Sequence, residues 1–220
     1  MLDRIIEILP ELNVAFYETL IMVGIGLLVA LIIGLPVGIL LFVTERGLFW
    51  QNRVAKTILG VIVNLIRSIP FIILLVFLLP FTDFLVGTTT GAIAASVSLS
   101  VAAIPFYARI VESAAREIDK GVIEAAIAVG ASPWLIIKDI ILPETKPGLI
   151  SGLTITAISL IGYSAMAGTI GGGGIGDLAI RYGYYRYDDT VMFTTVIVLI
   201  VLVQFIQYLG DFIAKTVNKR

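Results

Sequence analysis

Long stretches without a charged residue constrain this chain most. Residues 19–44 lie between Glu18 and Glu45 and contain no charge. A helix needs about 20 apolar residues to cross the hydrocarbon core of a bilayer. The whole chain is 59% hydrophobic and only 14% charged, whereas soluble domains carry about a quarter charged residues. A single aqueous core cannot hide this much apolar surface, so we predict an integral membrane protein.

Five apolar segments are suited to spanning a membrane. They are residues 19–44, 58–79, 91–108, 149–170 and 191–209. Residues 109–148 form the longest loop between them, and residues 1–13 read as a short amphipathic lead-in. The sequence therefore predicts an all-α integral membrane protein in which residues 1–220 form one transmembrane domain with five helices.

Basic residues are unevenly divided between the two sides of these spans. Eleven of them fall on one side: Arg46, Arg53, Lys56, Arg109, Arg116, Lys120, Lys138, Lys146, Lys215, Lys219 and Arg220. The other side holds only Arg4, Arg181 and Arg186. Because cytoplasmic segments carry the excess of Lys and Arg, we predict that the N-terminus lies outside the cell and the C-terminus in the cytoplasm.

The composition argues against several functions. The net charge of −1 gives no reason to expect nucleic acid as a partner. The chain contains neither cysteine nor histidine, which are common nucleophiles, general bases and metal ligands. It also lacks the Gly-Lys-Ser/Thr end of a Walker loop. We therefore predict no catalytic residue, no metal site and no cofactor in this chain.

Glycine and proline interrupt the predicted spans. Gly34 and Gly38 form a Gly-x-x-x-Gly pair in the first span, Pro70 lies in the second and Pro105 in the third. Small residues at this spacing are typical of close helix packing. The alternative is a bent helix that lines a path, because bends persist in membranes where neighbours or water satisfy the backbone.

The loop at residues 109–148 is too patterned for disorder. Helix formers at 114–129, broken at Gly121, predict one short helix, and residues 134–141 predict a second. Gly130 allows a sharp stop between them, and Ser132 before a proline is typical of an N-cap. We expect Leu142-Pro143 to end the second helix and Pro147-Gly148 to break the chain again before the fourth span. Spacing alone is compatible with a plain surface hairpin or with a docking segment.

The same loop carries a multi-part motif. Its fixed positions are Glu124-Ala125-Ala126, Gly130, Ile140 and Leu142-Pro143. This pattern resembles the EAA loop of bacterial ABC-importer permeases. The resemblance implies a coupling helix that docks into a cleft on a cytoplasmic ATPase subunit. The residues it assigns to coupling are Glu124, Ala125, Ala126, Gly130, Ala131, Ser132, Trp134 and Pro143.

Other segments resemble the methionine-importer permeases of that family. They are residues 66–71, 162–168, 170–176 and 207–211. The resemblance implies a type I ABC importer permease fold in a bacterial cell membrane. It further implies a homodimer, two ABC ATPase subunits that bind ATP and Mg, and an extracytoplasmic substrate-binding protein. The implied cargo is methionine, with its stereochemistry open; another amino acid or an osmoprotectant is the alternative.

Candidate residues for the path and the outer gate lie in spans two and four. They are Arg67, Ser68, Pro70, Tyr163, Ser164 and Met166. Arg67 either reaches the cytoplasmic interface or faces the bundle interior, with Asn64 as one candidate partner. Ser159, Ser164, Met166 and Thr169 fall on or near one side of span four, where they serve helix packing or line a pathway.

The glycine run at Gly171, Gly172, Gly173 and Gly174 also has two readings. It is either a compact turn shaped by packing or a gate and contact for the external binding protein. Two rival classes are weaker. An ion-coupled transporter usually carries carboxylates within its spans, and an intramembrane enzyme would need a Ser–Lys or paired-Asp centre. The predicted spans contain neither.

Overall fold

The computed structural model describes residues 2–218 and shows only helices as regular structure in that part of the chain. The predicted all-α fold class is confirmed. The helices are α1 (Leu2–Val29, a π-helical turn Ala30–Gly34 and Leu35–Val43), α2 (Arg53–Ser68), α3 (Phe71–Phe77), α4 (Leu79–Val86), α5 (Ala92–Arg116), α6 (Lys120–Ala128), α7 (Pro133–Leu135, a π-helical turn Ile136–Ile141 and Leu142–Gly168), α8 (Gly174–Leu178 and a π-helical turn Ala179–Tyr184) and α9 (Asp189–Val217). Lys219 and Arg220 of the predicted cytoplasmic tail lie outside the described residues.

Four helices within residues 2–218 are long and apolar enough to cross a membrane: α1, α5, α7 and α9. The pair α2–α3 makes a fifth crossing if the two helices count as one bent span. α1 is much longer than predicted, because the expected lead-in continues the helix from Leu2. Its 41 residues from Asp3 to Val43 extend over about 60 Å at the α-helical rise. Since this is about twice the hydrocarbon thickness, α1 is strongly tilted or projects beyond the bilayer.

The second predicted span is not one straight helix. α2 ends at Ser68, α3 begins at Phe71, and the two axes are bent by 102°. Pro70 causes the break, because its ring disfavours helical geometry at the preceding residue. Ile69 accordingly adopts an extended conformation, with φ −82° and ψ 124°.

The expected stop at Leu142-Pro143 is wrong, and so is the break expected at Pro147. Helix α7 runs from Pro133 to Gly168. Proline lacks an N–H and its ring clashes with the carbonyl four residues earlier. The π-helical turn before Pro143 lets the Leu142 N–H bond to the carbonyl of Ile137, five residues back. The turn is thereby widened by one residue, and the helix continues. A π-helical turn likewise precedes Pro36 in α1.

Helix α5 is the centre of the bundle and contacts α1, α2, α3, α4 and α7. Small residues on its neighbours permit close approach. A Cβ atom on Gly38 would lie 2.5 Å from the carbonyl oxygen of Ala108 and 2.5 Å from Cβ of Val111. A Cβ atom on Gly34 would lie 2.9 Å from the carbonyl oxygen of Ile104. The Gly-x-x-x-Gly pair thus serves helix packing, the first of its two readings.

The beginnings of α1 and α9 lie side by side. Arg4 Nε donates to Asp188 Oδ2 at 2.7 Å, and Asp188 caps α9 by accepting from the Val191 N–H at 3.1 Å. Ile8 and Val191 are buried in a small hydrophobic cluster just below. The two helices therefore run in the same direction, as an odd number of crossings from first to last requires.

Candidate functional site

Residues 119–135 form a rigid elbow, which we call the coupling elbow. Asp119 caps α6 by accepting from the Gly121 N–H at 2.8 Å. At the other end Gly130 has φ +80°, a conformation that a side chain disfavours. The N–H groups of Gly130 and Ala131 bond to the carbonyls of Ile127 and Ala126, respectively, which is a Schellman C-cap.

The next helix begins at once. Ser132 Oγ accepts from the Leu135 N–H at 3.3 Å, and Pro133 occupies the first helical turn. This is the N-cap that the sequence predicted. Because both sides of the corner are capped, the direction of the chain through Gly130 is fixed by local hydrogen bonds.

The elbow presents an apolar surface to its surroundings. Val129 is 84% exposed and Trp134 is 68% exposed. Glu124 and Ala125 are also exposed, whereas Ala126 and Ala131 are partly buried. The other large apolar side chains of the elbow that are exposed are Val122, Ile127 and Leu135. Exposed apolar groups clustered at one corner are typical of a protein-interaction site.

A row of isoleucines holds the elbow against the bundle. Ile123 of α6 and Ile136 and Ile141 of α7 are fully buried. They belong to the same hydrophobic core as Val111 and Ala115 of α5. A displacement of the elbow is therefore transmitted to α5 and α7, because packed protein interiors have low compressibility. Pro143 lies beyond this row, on α7 itself, and is exposed in the single chain.

A cluster of charged side chains, which was not predicted from the sequence, lies beside the elbow. We call it the inner charge cluster: Glu45, Lys56, Arg109, Glu112 and Arg116. Glu112 is 2% exposed and lies 2.7 Å from Lys56, 2.5 Å from Arg109 and 2.9 Å from Arg116. Glu45 lies 3.3 Å from Lys56 and 3.1 Å from Arg116. The i,i+3 and i,i+4 spacing of Arg109, Glu112 and Arg116 was visible in the sequence, but the partners on other helices were not.

The cluster and the elbow share a cavity of about 270 Å³. Glu45 and Arg116 line it from the cluster, and Lys120, Ile123 and Glu124 line it from the elbow. The charged ends of the membrane helices and α6 thus border one common cavity.

Arg67 and Ser68 occupy the last turn of α2 before the break at Pro70. Arg67 is exposed in the single chain, and its positive charge stabilises the C-terminal end of α2. Ser68 Oγ donates to the carbonyl of Asn64 at 2.8 Å. The Asn64 side chain, expected as a partner of Arg67, instead accepts from Arg109 Nη2 at 2.7 Å.

Tyr163, Ser164 and Met166 do not share one face of α7. The Tyr163 ring stacks on Phe71, with centroids 4.5 Å apart and 8° between the planes. Ser164 is buried and donates to the Ile161 carbonyl at 2.8 Å. Met166 is 46% exposed, beside the open surface at Gly162. Of the expected stripe, only Ser164 points into the bundle, whereas Ser159 is partly exposed and Met166 and Thr169 are exposed.

The glycine run forms a tight turn that α1 holds in place. Gly171, Gly173 and Gly174 have positive φ. Glu18 Oε2 accepts from the Gly174 N–H at 2.7 Å, and Thr19 Oγ1 accepts from the following N–H at 3.0 Å. A Cβ atom on Gly173 would collide with the Glu18 carboxylate. These contacts agree with a compact turn shaped by packing.

The turn offers little surface of its own to an external protein. Gly172 and Gly174 are buried within the chain and Gly173 is partly buried, whereas Gly171 is exposed. The predicted contact at all four glycines is therefore reduced to the exposed edge of the turn. The partner contributed by Glu18 was not apparent in the sequence, where this residue only marked the start of an apolar run.

Comparisons with known proteins agree with this architecture. Residues 30–220 match the family described as the binding-protein-dependent transport system inner membrane component. The probable D-methionine transport system permease protein MetI of Vibrio cholerae is 47% identical over 94% of this chain and 92% of its own length. The methionine import system permease protein MetP of Bacillus subtilis is 49% identical over 96% of each chain.

A solved structure gives the same picture. A chain of the MetNI methionine ABC transporter in inward-facing conformations superposes with a TM-score of 0.95 at 46% identity, covering 97% of this chain and 99% of that one. The family match spans most of the chain, and both relatives align over nearly their whole length. This protein therefore belongs to the family of binding-protein-dependent transport system inner membrane components.

Proposed function

We propose that this chain is the membrane-spanning permease subunit of an ATP-driven importer that carries methionine into the cytoplasm. The observation that carries the proposal is the near-full-length similarity to MetI and MetP, whose names state methionine transport. The coupling elbow supports it, because an importer without its own ATP site needs a rigid surface through which a partner can act.

The proposed assembly has two copies of this chain, two cytoplasmic ABC ATPase subunits and an extracytoplasmic substrate-binding protein. ATP and Mg bind to the ATPase subunits, and this chain has no catalytic role. Two copies suit a closed symmetric arrangement. The exposed face of α7 that contains Ile155, Gly162 and Met166 is suited to line the interface and the path between them.

The proposed orientation places the N-terminus outside and the elbow and C-terminus in the cytoplasm, in a bacterial cell membrane. In this orientation the glycine turn at residues 171–174 lies at the outer end. Arg67, Ser68 and Pro70 lie beside the break between α2 and α3. That break supplies the irregular backbone that membranes tolerate next to a path.

The length of α7 suggests how the elbow acts. Trp134 lies at one end of this helix and Met166 at the other. Their separation along the axis is about 48 Å at the helical rise. When ATP draws the ATPase subunits together, Glu124 and its neighbours move with them. The unbroken α7 carries that motion to Met166 and Tyr163 at the outer gate, which gives alternating access.

The experiment is reconstitution of the chain with its ATPase and binding protein in liposomes. We expect ATP-dependent uptake of labelled methionine, with competition by D- and L-methionine separating the two stereoisomers from other amino acids. Glu124→Lys should abolish uptake while the dimer remains folded. The control is the same reversal at Asp83, an exposed acid on α4, which should leave uptake intact. Normal uptake by Glu124→Lys would refute docking at the elbow.

A further inference from the structure

The ammonium group of Lys56 joins three helices. Its Nζ donates to the carbonyl oxygen of Leu41 at 2.7 Å, to Glu45 at 3.3 Å and to Glu112 at 2.7 Å. A lysine has three N–H donors, so every one is used. Two acceptors lie at the end of α1 and just beyond it, the third lies on α5, and Lys56 itself lies on α2. One side chain therefore fixes the relative positions of α1, α2 and α5.

The burial of Glu112 indicates that this junction stays closed. Its side chain is 2% exposed, and its two carboxylate oxygens face Lys56, Arg109 and Arg116. Withdrawing the cations would leave a buried charge without compensation, which is strongly unfavourable. Such a junction is suited to helices that move together as one unit. It is less suited to an interface that opens in every transport cycle.

The junction lies next to the coupling elbow. Arg116 is the last residue of α5, and α6 starts four residues later at Lys120. Arg116 also pairs with Glu45, and both line the cavity that Glu124 borders. A displacement of α6 therefore reaches the inner charge cluster through a very short connection.

Helix α7 is covalently continuous with the elbow, but α1 and α2 are not. Building on the proposed function, we propose that Lys56 and Glu112 are positioning residues for coupling. They hold the cytoplasmic ends of α1 and α2 against α5, so that the three helices follow the elbow as one body. This connection explains how motion applied at α6 reaches Arg67 and the break at Pro70, because neither residue lies on α7.

The test compares two measurements on the complete transporter in the same proteoliposomes: ATP hydrolysis and methionine uptake. Lys56→Met and Glu112→Gln should each raise the ATP hydrolysed per methionine imported severalfold. The effect of the double variant should be smaller than the two single effects combined, because both substitutions remove the Lys56–Glu112 link. Lys56→Arg should restore much of the coupling. Arg53→Met, at an exposed position one turn earlier on α2, is the matched control.

A purely structural role would reduce folded protein, uptake and ATP hydrolysis together and leave their ratio unchanged. An unchanged ratio in the variants would therefore overturn the proposal. An unmodified transporter that imports no methionine would instead refute the proposed function, so the two failures are distinguishable.

A cross-linking experiment covers variants that fail to fold. The chain has no cysteine, so Glu45→Cys with Arg116→Cys gives one defined thiol pair across the junction in each copy of the chain. A short thiol cross-linker should leave the uptake of this variant unchanged if the junction moves as one body. Loss of uptake on cross-linking would show that the junction must open, and would refute the proposal that Lys56 and Glu112 hold it closed.

Discussion

Replacing Gly38 by alanine tests the packing of α1 on α5 directly. The added Cβ would meet the Ala108 carbonyl oxygen and Val111 Cβ at 2.5 Å, where ordinary contacts begin at 3.4 Å. The helices would have to separate by about 1 Å, which forfeits a quarter to a half of the dispersion energy of the contacting atoms. Overpacking typically costs about 1–3 kcal/mol, and a backbone oxygen cannot rotate away, so the upper end applies.

The substitution also brings a gain. Alanine is about 1 kcal/mol better than glycine inside a helix, so we expect a net loss of about 2 kcal/mol in the free energy of unfolding. For a chain of this length the melting temperature should fall by about 4–8 °C. The assay is thermal unfolding of the purified protein in detergent, monitored by circular dichroism.

Two other glycines of α1 provide controls. Gly24 has no atom within 4 Å of a built Cβ, so Gly24→Ala should leave stability unchanged or raise it by about 0.5–1 kcal/mol. Gly34→Ala should fall between the two, because the nearest obstacle to its Cβ lies at 2.9 Å. If Gly38→Ala were as stable as Gly24→Ala, the packing argument would be wrong.

Three further predictions concern the elbow and the outer end. Gly130→Ala places a side chain at φ +80°, which costs about 1–2 kcal/mol, so it should weaken binding of the ATPase subunit in a titration without affecting membrane insertion. Glu18→Ala removes the acceptor of the Gly174 N–H, which costs about 1–3 kcal/mol; amide hydrogen exchange at the glycine turn should speed up, and Glu18→Gln should show a smaller effect. The hydrogen bond from Arg4 lowers the pKa of the Asp188 carboxyl. Its stabilisation is therefore present above the unfolded pKa of about 3.9 and is lost as the pH falls through the folded value. Asp188→Asn should lower the melting temperature at neutral pH, and a difference that persisted in strong acid would contradict the pair.

The apolar spans were predictable because hydropathy is a local property. The predicted span 91–108 matches α5 to within one residue at its start, and the predicted span 191–209 lies inside α9; both helices extend further than predicted. The caps of the elbow were equally readable, since Gly130 and Ser132 act through hydrogen bonds to residues within a few positions. The resemblance of the loop at Glu124 to the EAA motif pointed to the family that the comparisons show.

The effect of each proline needed the structure. Pro70 breaks the helix by 102°, whereas Pro143 and Pro36 do not break theirs. A widened π-helical turn precedes Pro143 and Pro36, whereas Pro10, Pro105 and Pro147 lie inside continuous helices without such a turn. Whether a turn widens depends on the helices packed around it, so local sequence gives no reliable indication.

The sequence by itself determined that this chain is a helical membrane protein with a capped elbow in its longest polar loop. Those features follow from the solubility of side chains and from hydrogen bonds between near neighbours in the chain. Only the tertiary structure decided that Glu18 holds the glycine turn and that Lys56 joins α1, α2 and α5. These contacts join residues far apart in the chain, here 156 positions for Glu18 and Gly174 and 56 for Lys56 and Glu112. No local pattern encodes such a pairing, because the packing of whole helices brings the two side chains together.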